Sequence, residues 1–337
     1  MNEPALHIAA AGVTTAAGSR LAAVVDAVRE DRRCAEPTYL VGRDGRNLVV
    51  APVLPIRGDH GPGRAITLVD AALRECLNED KPPSGATLLV LCASRPDFAP
   101  SWKGMGRGVR SLLHEQYEIF VPDPLLIIFT DGNAAGLRAL ARVREAFLSG
   151  EAREALVVGV QSDCAPETLS VLDLFGMSAS SRFPDGYLPS ESAAVVHVRP
   201  RPAGPRIAGF SFTSAPSIDF EKDVDAEMAH PESLVTTIED ALAQWRGDRR
   251  TITEVLCDLN GAEWRAKEWA LASTRAFWQA GANPSLMAPA RTLGEQHAAT
   301  IPLLLALAVQ AVNTSQTPRL VMASDADGFR GAAIIEP

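Results

Sequence analysis

The chain has 337 residues, of which 47% are hydrophobic, and a formal net charge of −9 at pH 7. This length and apolar content are sufficient for a substantial buried core in one or two domains. The acidic balance argues against a nucleic-acid partner, because phosphate recognition needs clustered lysine and arginine side chains. The basic runs at 29–33 and 246–250 are interleaved with acidic residues and indicate solvated surface.

Signals of secretion and membrane insertion are missing from the sequence. The first residues, Met1-Asn2-Glu3-Pro4, lack the basic region of a secretory signal. The longest apolar run, 301–312, is shorter than a membrane span and predicts a buried core helix. Five cysteines form no CxxC pair, and Cys92 and Cys257 end apolar strand patterns typical of inert core thiols. We therefore expect a cytoplasmic protein without a metal or cofactor, and no membrane partner.

Before a Pro-rich segment at 199–205, apolar runs alternate with amphipathic stretches. Such alternation is typical of a mainly parallel sheet that is covered by helices on both faces. The predicted elements are strand 7–14, helix 19–30, short strand character at 48–53, helix 64–77, strand 86–92, helix 104–116, strand 125–129, helix 134–149, strand 154–160, helix 166–174 and strand 192–198.

The remainder of the chain repeats the alternation. Its predicted elements are strand 206–213, helix 232–246, strand 253–258, helix 262–280, a short strand at 285–287, helix 296–313 and strands 318–324 and 331–335. The pattern alone predicts an α/β fold.

One motif has the order strand, tight turn and helix, and it reads Phe129-Thr130-Asp131-Gly132-Asn133-Ala134-Ala135-Gly136-Leu137. After its helix, Gly150-Glu151-Ala152 precedes a Val-rich run. The unit resembles the nucleophile elbow of β-ketoacyl synthases, in the thiolase-like superfamily. In that family a cysteine begins the helix and a glycine follows three residues later. Asn133 stands at the cysteine position, and an amide cannot attack a thioester.

Three further segments are similar to motifs of the same family. Residues 7–18 resemble its first strand and the "TGxGxVTPxG" loop. Residues 181–194 resemble "SRPFDxxRDGFVxGEGAA", with Ser190 and Ser192 in place of the two glycines that flank the glutamate. Residues 324–335 resemble the closing Gly/Phe-rich loop and strand. The resemblance thus extends along most of the chain.

The two catalytic histidines of the family also have substitutes here. The "HGTGT" motif corresponds to 255–263, where Asn260 takes the place of the histidine and Glu263 follows. The "GH" motif corresponds to 292–300, where Glu295 follows the glycine and His297 lies two residues further on. The degenerate active-site positions are therefore Asn133, Asn260, Glu263, Glu295 and His297.

The resemblance implies a thiolase-like αβαβα sandwich built from two related halves. Residues 1–198 would form the half with the degenerate elbow, 206–337 the second half, and 199–205 the connection. The helices after Asn133 and Gln296 would be the buried central pair. Dimers of this superfamily pair an edge strand of the sheet, and we expect 154–160 to be that strand here.

The first functional hypothesis is a non-catalytic β-ketoacyl synthase-like subunit that acts as a binding, scaffold or adaptor protein. The resemblance implies a homodimer, or a heterodimer with a related thiolase-fold chain. An acyl-carrier protein and, by analogy of fold, a secreted effector are further candidate partners. Acidic carrier proteins prefer a basic docking patch, and the Lys103/Arg107/Arg110 loop is the local candidate.

The alternative hypothesis is an acyl-thioester transferase or hydrolase with altered chemistry in the old pocket. Asn133 and Asn260 would donate to an oxyanion, with His297 or Glu295 as the base. A hydrophobic tunnel that reaches Asn133 would favour this enzyme, and a filled core would exclude it. Cys164 could be a displaced nucleophile, or a plain loop cysteine.

Two other patterns have a structural interpretation beside the functional one. The residues Asp131, Glu263, Glu295 and His297 could serve as acids and bases, or pack as polar groups in a degenerate pocket. Residues 102–108 resemble a phosphate loop only in glycine content, so we predict an ordinary loop there.

Overall fold

The computed structural model describes residues 4–54, 60–79, 82–83, 85–93, 104–180, 186–214 and 231–337. It confirms the predicted α/β class, and the predicted elements form with most ends shifted by a few residues. The strands are β1 (Leu6–Thr15), β2 (Glu36–Val41), β3 (Asn47–Val50), β4 (Thr87–Cys92), β5 (Leu126–Phe129), β6 (Glu154–Ser162), β7 (Glu191–Arg199), β8 (Arg206–Ser214), β9 (Glu254–Cys257), β10 (Ser285–Met287), β11 (Arg319–Ser324) and β12 (Phe329–Glu336).

The α-helices alternate with these strands along most of the chain. They are α1 (Leu21–Arg29), α2 (Pro62–Glu79), α3 (Met105–Tyr117), α4 (Ala135–Ser149), α5 (Pro166–Leu174), α6 (Pro231–Trp245), α7 (Glu263–Ala276), α8 (Ala290–Leu293) and α9 (Thr300–Ser315). Short 3₁₀ turns at Gly132–Ala134 and His297–Ala299 lead into α4 and α9.

The large sheet has the strand order β10-β9-β11-β12-β8-β1-β7-β6-β4-β5. Its two sets of five strands share one order, because β8, β9, β10, β11 and β12 occupy the places that β1, β4, β5, β6 and β7 occupy in the first set. The sets meet where β1 and β8 pair at Leu6 with Ile207 and His7 with Arg206. This repeated order matches the two related halves that the resemblance implies.

Helices lie on both sides of each set of strands. Helix α2 covers β1, β7 and β6, with α3 beside it, and α6 covers β8 and β12, with α7 beside it. Helices α4 and α9 contact strands of both sets and form the central layer. A Cβ at Gly136 would lie 2.6 Å from the Cβ of Ile301, so the glycine permits the close approach of α4 to α9. The five layers are those of the expected αβαβα sandwich.

Helix α9 and the turn before it have the length and hydropathy of a membrane span, at His297–Ser315. Most of this segment, 78%, is buried inside the protein. That burial agrees with the prediction of a core helix for residues 301–312.

The expectation that residues 154–160 form an edge strand is wrong. Strand β6 lies inside the sheet, where it pairs with β4 on one side and β7 on the other. A Val-rich strand without charges is typical of any doubly paired position, so its composition could not identify an edge. The edge strand of the first set is β5.

Residues 36–50 form a small antiparallel hairpin, β2–β3, of which the sequence predicted only the second strand. Pro37 within β2 weakens the strand signal, because proline cannot donate to a ladder. The hairpin packs Leu48 and Val50 against Leu169 of α5 and Cys164.

Candidate functional site

The turn before α4 places Asn133 between the two sets of strands. Gly132 has φ of +64°, a left-handed conformation that glycine adopts without strain. A side chain at this position would also collide with the Asp325 carboxylate. That carboxylate accepts the backbone N–H of Asn133 at 2.8 Å, so the loop after β11 ties down the turn. The local sequence therefore builds the strand-turn-helix unit that was predicted.

The Asn133 side chain is fully buried and donates to two carboxylates. Its Nδ2 lies 3.2 Å from Asp258 Oδ2 and 3.0 Å from Glu295 Oε1. Only an amide or another donor fits these two acceptors, since a thiolate or carboxylate would add a negative charge beside them. The residue at the nucleophile position thus acts as a hydrogen-bond donor.

Glu295 is the most highly coordinated group of the cluster. It accepts from Asn133 and Asn260 through the side-chain amides, and from the backbone N–H groups of Gln296 and His297 at 3.1 and 3.2 Å. Arg265 Nη1 lies 3.2 Å from Glu295 Oε2. Asn260 and Glu295, which stand in for the two histidines, are therefore in direct contact with each other.

Asp258 and Glu295 share one buried cation, Arg265. Arg265 Nη1 donates to the backbone carbonyl of Asp258 at 2.7 Å and lies 3.4 Å from its carboxylate. Burial raises the pKa of Asp258 to about 6, against the opposing effect of Arg265. Burial also opposes ionisation of Glu295, but Arg265, His297 and its hydrogen bonds together lower the pKa of Glu295 to about 2. Near neutral pH the cluster is a network of one cation and two carboxylates.

Ser190, which replaces a family glycine, also belongs to this network. Its hydroxyl donates to the backbone carbonyl of Glu295, and Gln296 Nε2 donates to the Ser190 hydroxyl at 3.2 Å. The neighbouring Glu191 is fully buried in a separate ion pair with Arg64. The serine substitution therefore supplies hydrogen bonds that fix the turn before α9.

The space beside the cluster is nearly filled. The cavity that Asp258, Glu295, Gln296 and Thr300 line with residues of α8 and α9 measures about 10 Å³. That volume holds at most about one water molecule. A hydrophobic tunnel that reaches Asn133 was the feature expected of the alternative enzyme, and this cavity is too small to hold an acyl chain.

Two of the predicted site residues point away from the cluster. Glu263 is exposed in the first turn of α7, where it pairs with Lys267 at 2.8 Å and not with the cluster. The His297 imidazole lies 3.5 Å from Asp163 Oδ2 and edge-on to the Tyr187 ring at 4.9 Å. Only the backbone of His297 contacts Glu295.

Three cysteines and Asp131 lie in environments typical of structural rather than catalytic residues. Cys164 is buried in the small core under the β2–β3 hairpin, and burial raises the pKa of its thiol well above the usual value. Burial likewise raises the pKa of Cys92 to about 12 and that of Cys257 further. Asp131 pairs with Arg138 at 2.6 Å. These thiols lack the depressed pKa of a nucleophile.

The sequence did not single out Asp258, Arg265 and Asp325 as site residues. Asp258 and Asp325 directly follow β9 and β11, and side chains at the carboxyl ends of neighbouring parallel strands meet at one edge of a sheet. That position was a usable signal. Arg265 gave none, because an arginine in the first turns of a helix is normally solvated.

No metal site accompanies the cluster in the part of the chain that the structure describes, where no three side chains of His, Cys, Asp or Glu form a suitable group. The prediction of an ordinary loop at 102–108 is wrong for residues 105–108, which form the first turn of α3. Residues 102–103, including Lys103, and residues 181–185 of the motif at 181–194 lie outside the described residues. Arg110 forms an ion pair with Asp123.

No protein-family model matches the chain. No curated protein sequence matches it either. Solved structures do match it in shape, over nearly its whole length.

One similar structure is a ketosynthase in complex with its chain length factor from Xenorhabdus doucetiae, with a TM-score of 0.77 and 11% identity over 99% of this chain and 98% of that chain. Another is the ishigamide ketosynthase/chain length factor, with a TM-score of 0.73 and 15% identity over 98% of this chain and 99% of that chain.

The ketosynthase of module 6 of the bacillaene synthase from Bacillus subtilis has a TM-score of 0.78 and 11% identity, over 98% of this chain and 72% of that chain. At these identities the likeness concerns the fold alone. It confirms the fold that the resemblance of the elbow and the other motifs implied. The chain has the thiolase-like fold of the ketosynthases.

Proposed function

We propose that this chain is a non-catalytic, ketosynthase-like partner subunit that contributes a binding or scaffold surface to an assembly with another thiolase-fold chain. The observation that carries the proposal is the closed cluster around Asn133. Covalent acyl transfer needs a nucleophile, a base that activates it and donors for the oxyanion. At this elbow the nucleophile position is an amide that is held by two carboxylates.

Intact-mass spectrometry after incubation with acyl-CoA and acyl-carrier thioesters tests this proposal. We expect no covalent acyl adduct on the wild-type protein or on Asn133→Cys. A thiol at this position would face Asp258 and Glu295, which raise its pKa, and the cavity of about 10 Å³ beside it cannot admit an acyl chain. An active ketosynthase provides the positive control. A stable adduct on the wild type would contradict the proposal, and loading of the variant alone would mean that the pocket opens in solution.

The proposed pairing surface is the outer edge of β5. This strand ends the sheet, and an unpaired edge strand exposes backbone donors and acceptors that another strand can satisfy. Two large apolar side chains on this strand and just before it are exposed, namely Ile128 and Phe120. Similar structures include complexes of a ketosynthase with a chain length factor, and we extend that mode of assembly to this chain as a proposal.

Ile128→Lys is expected to abolish pairing through β5. A lysine in the centre of the edge would place a charge in the interface and oppose strand pairing. The readout is the mass of the native protein by native mass spectrometry and light scattering. Leu271→Lys is the matched control, because Leu271 on α7 is 48% exposed and Ile128 is 49% exposed.

A dimer that persists in Ile128→Lys would contradict this surface. If the wild type is monomeric, the same pair of variants is tested for copurification with a coexpressed thiolase-fold chain. Loss of that complex in Ile128→Lys alone would support pairing with a different chain rather than with itself.

An acyl-carrier protein remains a proposed partner. One of the similar structures is a type II polyketide synthase acyl-carrier protein in complex with its ketosynthase, with a TM-score of 0.75. The Lys103/Arg107/Arg110 loop is a weaker candidate docking site for such a partner, because Arg110 is already paired with Asp123. A secreted effector and a cytoplasmic location stay predictions.

A further inference from the structure

A second exposed apolar surface lies far along the chain from β5, on the β2–β3 hairpin and α5. Five large apolar side chains there are 41–79% exposed. We call them the hairpin patch, and they are Tyr39, Val41, Val171, Leu174 and Phe175. Isolated apolar side chains on a surface are ordinary, but a contiguous group of this size marks an interaction site.

Specific hydrogen bonds hold the two parts of the patch together. The backbone N–H of Arg43 donates to Asp173 Oδ2 at 3.0 Å, and Arg43 Nη1 donates to the carbonyl of Leu174 at 2.8 Å. Arg43, two residues after Val41, is thereby fixed beside the last turn of α5. The patch is therefore a joint surface of hairpin and helix.

Periodicity explains why these side chains face outward. Tyr39 and Val41 alternate along β2 with Leu40, which packs toward the small core. On α5 and the residue after it, Val171, Leu174 and Phe175 have the i, i+3, i+4 spacing of one helix face. Because both elements already bury their opposite faces, the patch stays exposed in the folded chain.

The size of the patch favours a small partner element. Five side chains of this kind, about half exposed or more, offer on the order of 500 Å² of apolar surface. A stable dimer of standard size buries roughly 800 Å² on each partner. A single helix or short segment of another protein fits this area better than a second copy of the chain.

Charge indicates the chemistry of that segment. The turn of the hairpin exposes Arg43 and Arg46, although the protein as a whole has a net charge of −9. Among the described residues neither guanidinium forms an ion pair. Arg43 donates to a backbone carbonyl, and Asp44 between the two arginines accepts the backbone N–H of Arg46 at 3.0 Å. Two cations beside an apolar surface are complementary to a partner that combines apolar and acidic groups.

We propose that the hairpin patch docks an acidic amphipathic helix of a partner protein. The apolar stripe of that helix would cover Tyr39, Val41 and Phe175, and its acidic residues would face Arg43 and Arg46. Tyrosine and phenylalanine are suited to anchor such a contact, because they supply large contact area with few rotatable bonds. This docking is independent of pairing through β5.

Two labelled synthetic peptides test the proposal by fluorescence anisotropy at low and moderate salt. Both are 18 residues long and have one leucine stripe, with glutamate on the polar face of one and lysine on that of the other. We expect the acidic helix to bind at least about tenfold more tightly than the basic one, with an affinity that falls as salt rises. Equal binding of the two peptides would overturn the proposed charge complementarity.

Variants locate the binding on the patch. Phe175→Ser is expected to weaken binding of the acidic peptide about tenfold. Arg46→Glu is expected to remove the difference in affinity between the acidic and the basic peptide. Trp278→Ser is the matched control, since Trp278 is 71% exposed in the other half and Phe175 is 69% exposed. Thermal unfolding verifies that each variant is folded.

Three results would overturn the proposal. One is binding that Phe175→Ser and Trp278→Ser weaken equally. Another is self-association that Phe175→Ser abolishes, which would assign the patch to a second copy. The third is binding to vesicles of phosphatidylcholine and phosphatidylglycerol that depends on Phe175, which would assign it to a membrane surface.

Discussion

Arg265→Met is expected to lower the free energy of unfolding by about 3–5 kcal/mol at pH 7. The guanidinium is the shared cation of Asp258 and Glu295, with Nη1 at 3.4 and 3.2 Å from their carboxylates. Methionine retains much of the apolar stem but leaves two buried negative charges beside each other. Removal of one partner from a buried ionic network usually costs this much, because the remaining charge is neither solvated nor paired. Urea denaturation followed by circular dichroism measures the effect.

Lys267→Met is the matched control on the same helix. Lys267 pairs with Glu263 at 2.8 Å, but both side chains are about two-thirds exposed. An exposed ion pair contributes about 0–1 kcal/mol, so this variant should unfold almost like the wild type. Similar losses for both variants would contradict the view that Arg265 holds the site together. An unchanged stability of Arg265→Met would mean that water reaches the cluster.

Much of the fold follows from local pattern. Continuous Val- and Leu-rich runs such as 155–160 predicted buried strands, and the elbow motif predicted the turn at Gly132. The spatial order of the strands was beyond these signals. β5 and β6 have similar apolar composition, yet one is an edge and the other is paired on both sides. Whether a strand has one neighbour or two depends on the packing of the whole chain, which single-strand composition does not encode.

Three residues that the resemblance singled out meet in one cluster, but the residues that stabilise them were not singled out. The resemblance located Asn133, Asn260 and Glu295, and the structure brings all three together. Asp258 lies within the segment that resembles the HGTGT motif but was not singled out, and Arg265 lies outside every motif that the chain resembles. His297 has a φ of +38°, and its imidazole lies beside Asp163 rather than in the cluster.

The cluster offers a physical reason for the residues that differ from the motifs the chain resembles. An active elbow must stay accessible and must tolerate a reactive thiolate, which costs packing and hydrogen bonds. Here Asn133, Asn260 and Ser190 each donate to Glu295 or its backbone. These side chains thus support one another, so replacement of any one of them would leave hydrogen-bonding groups of Glu295 unpaired.

Asp258→Asn is expected to remove a pH-dependent part of the stability. Burial raises the pKa of Asp258 from 3.8 to about 6 in the folded protein, so the folded state binds this proton more tightly than the unfolded state. The stabilisation is therefore complete below pH ~4 and is lost as the pH rises through about 6. A shift of this size corresponds to on the order of 2–3 kcal/mol between the two limits. Asparagine does not titrate, so its variant lacks this contribution.

The measurement is the free energy of unfolding of both proteins from pH 4.5 to 7.5. Whatever the constant cost of the substitution, the stability of Asp258→Asn relative to the wild type should rise as the pH increases through about 6. Glu295 does not mask this trend, because its lowered pKa of about 2 confines its own contribution to more acidic solution. A difference in stability that stays constant over this range would contradict the prediction. It would show that Asp258 titrates like a solvated carboxyl and that water reaches the cluster around Asn133.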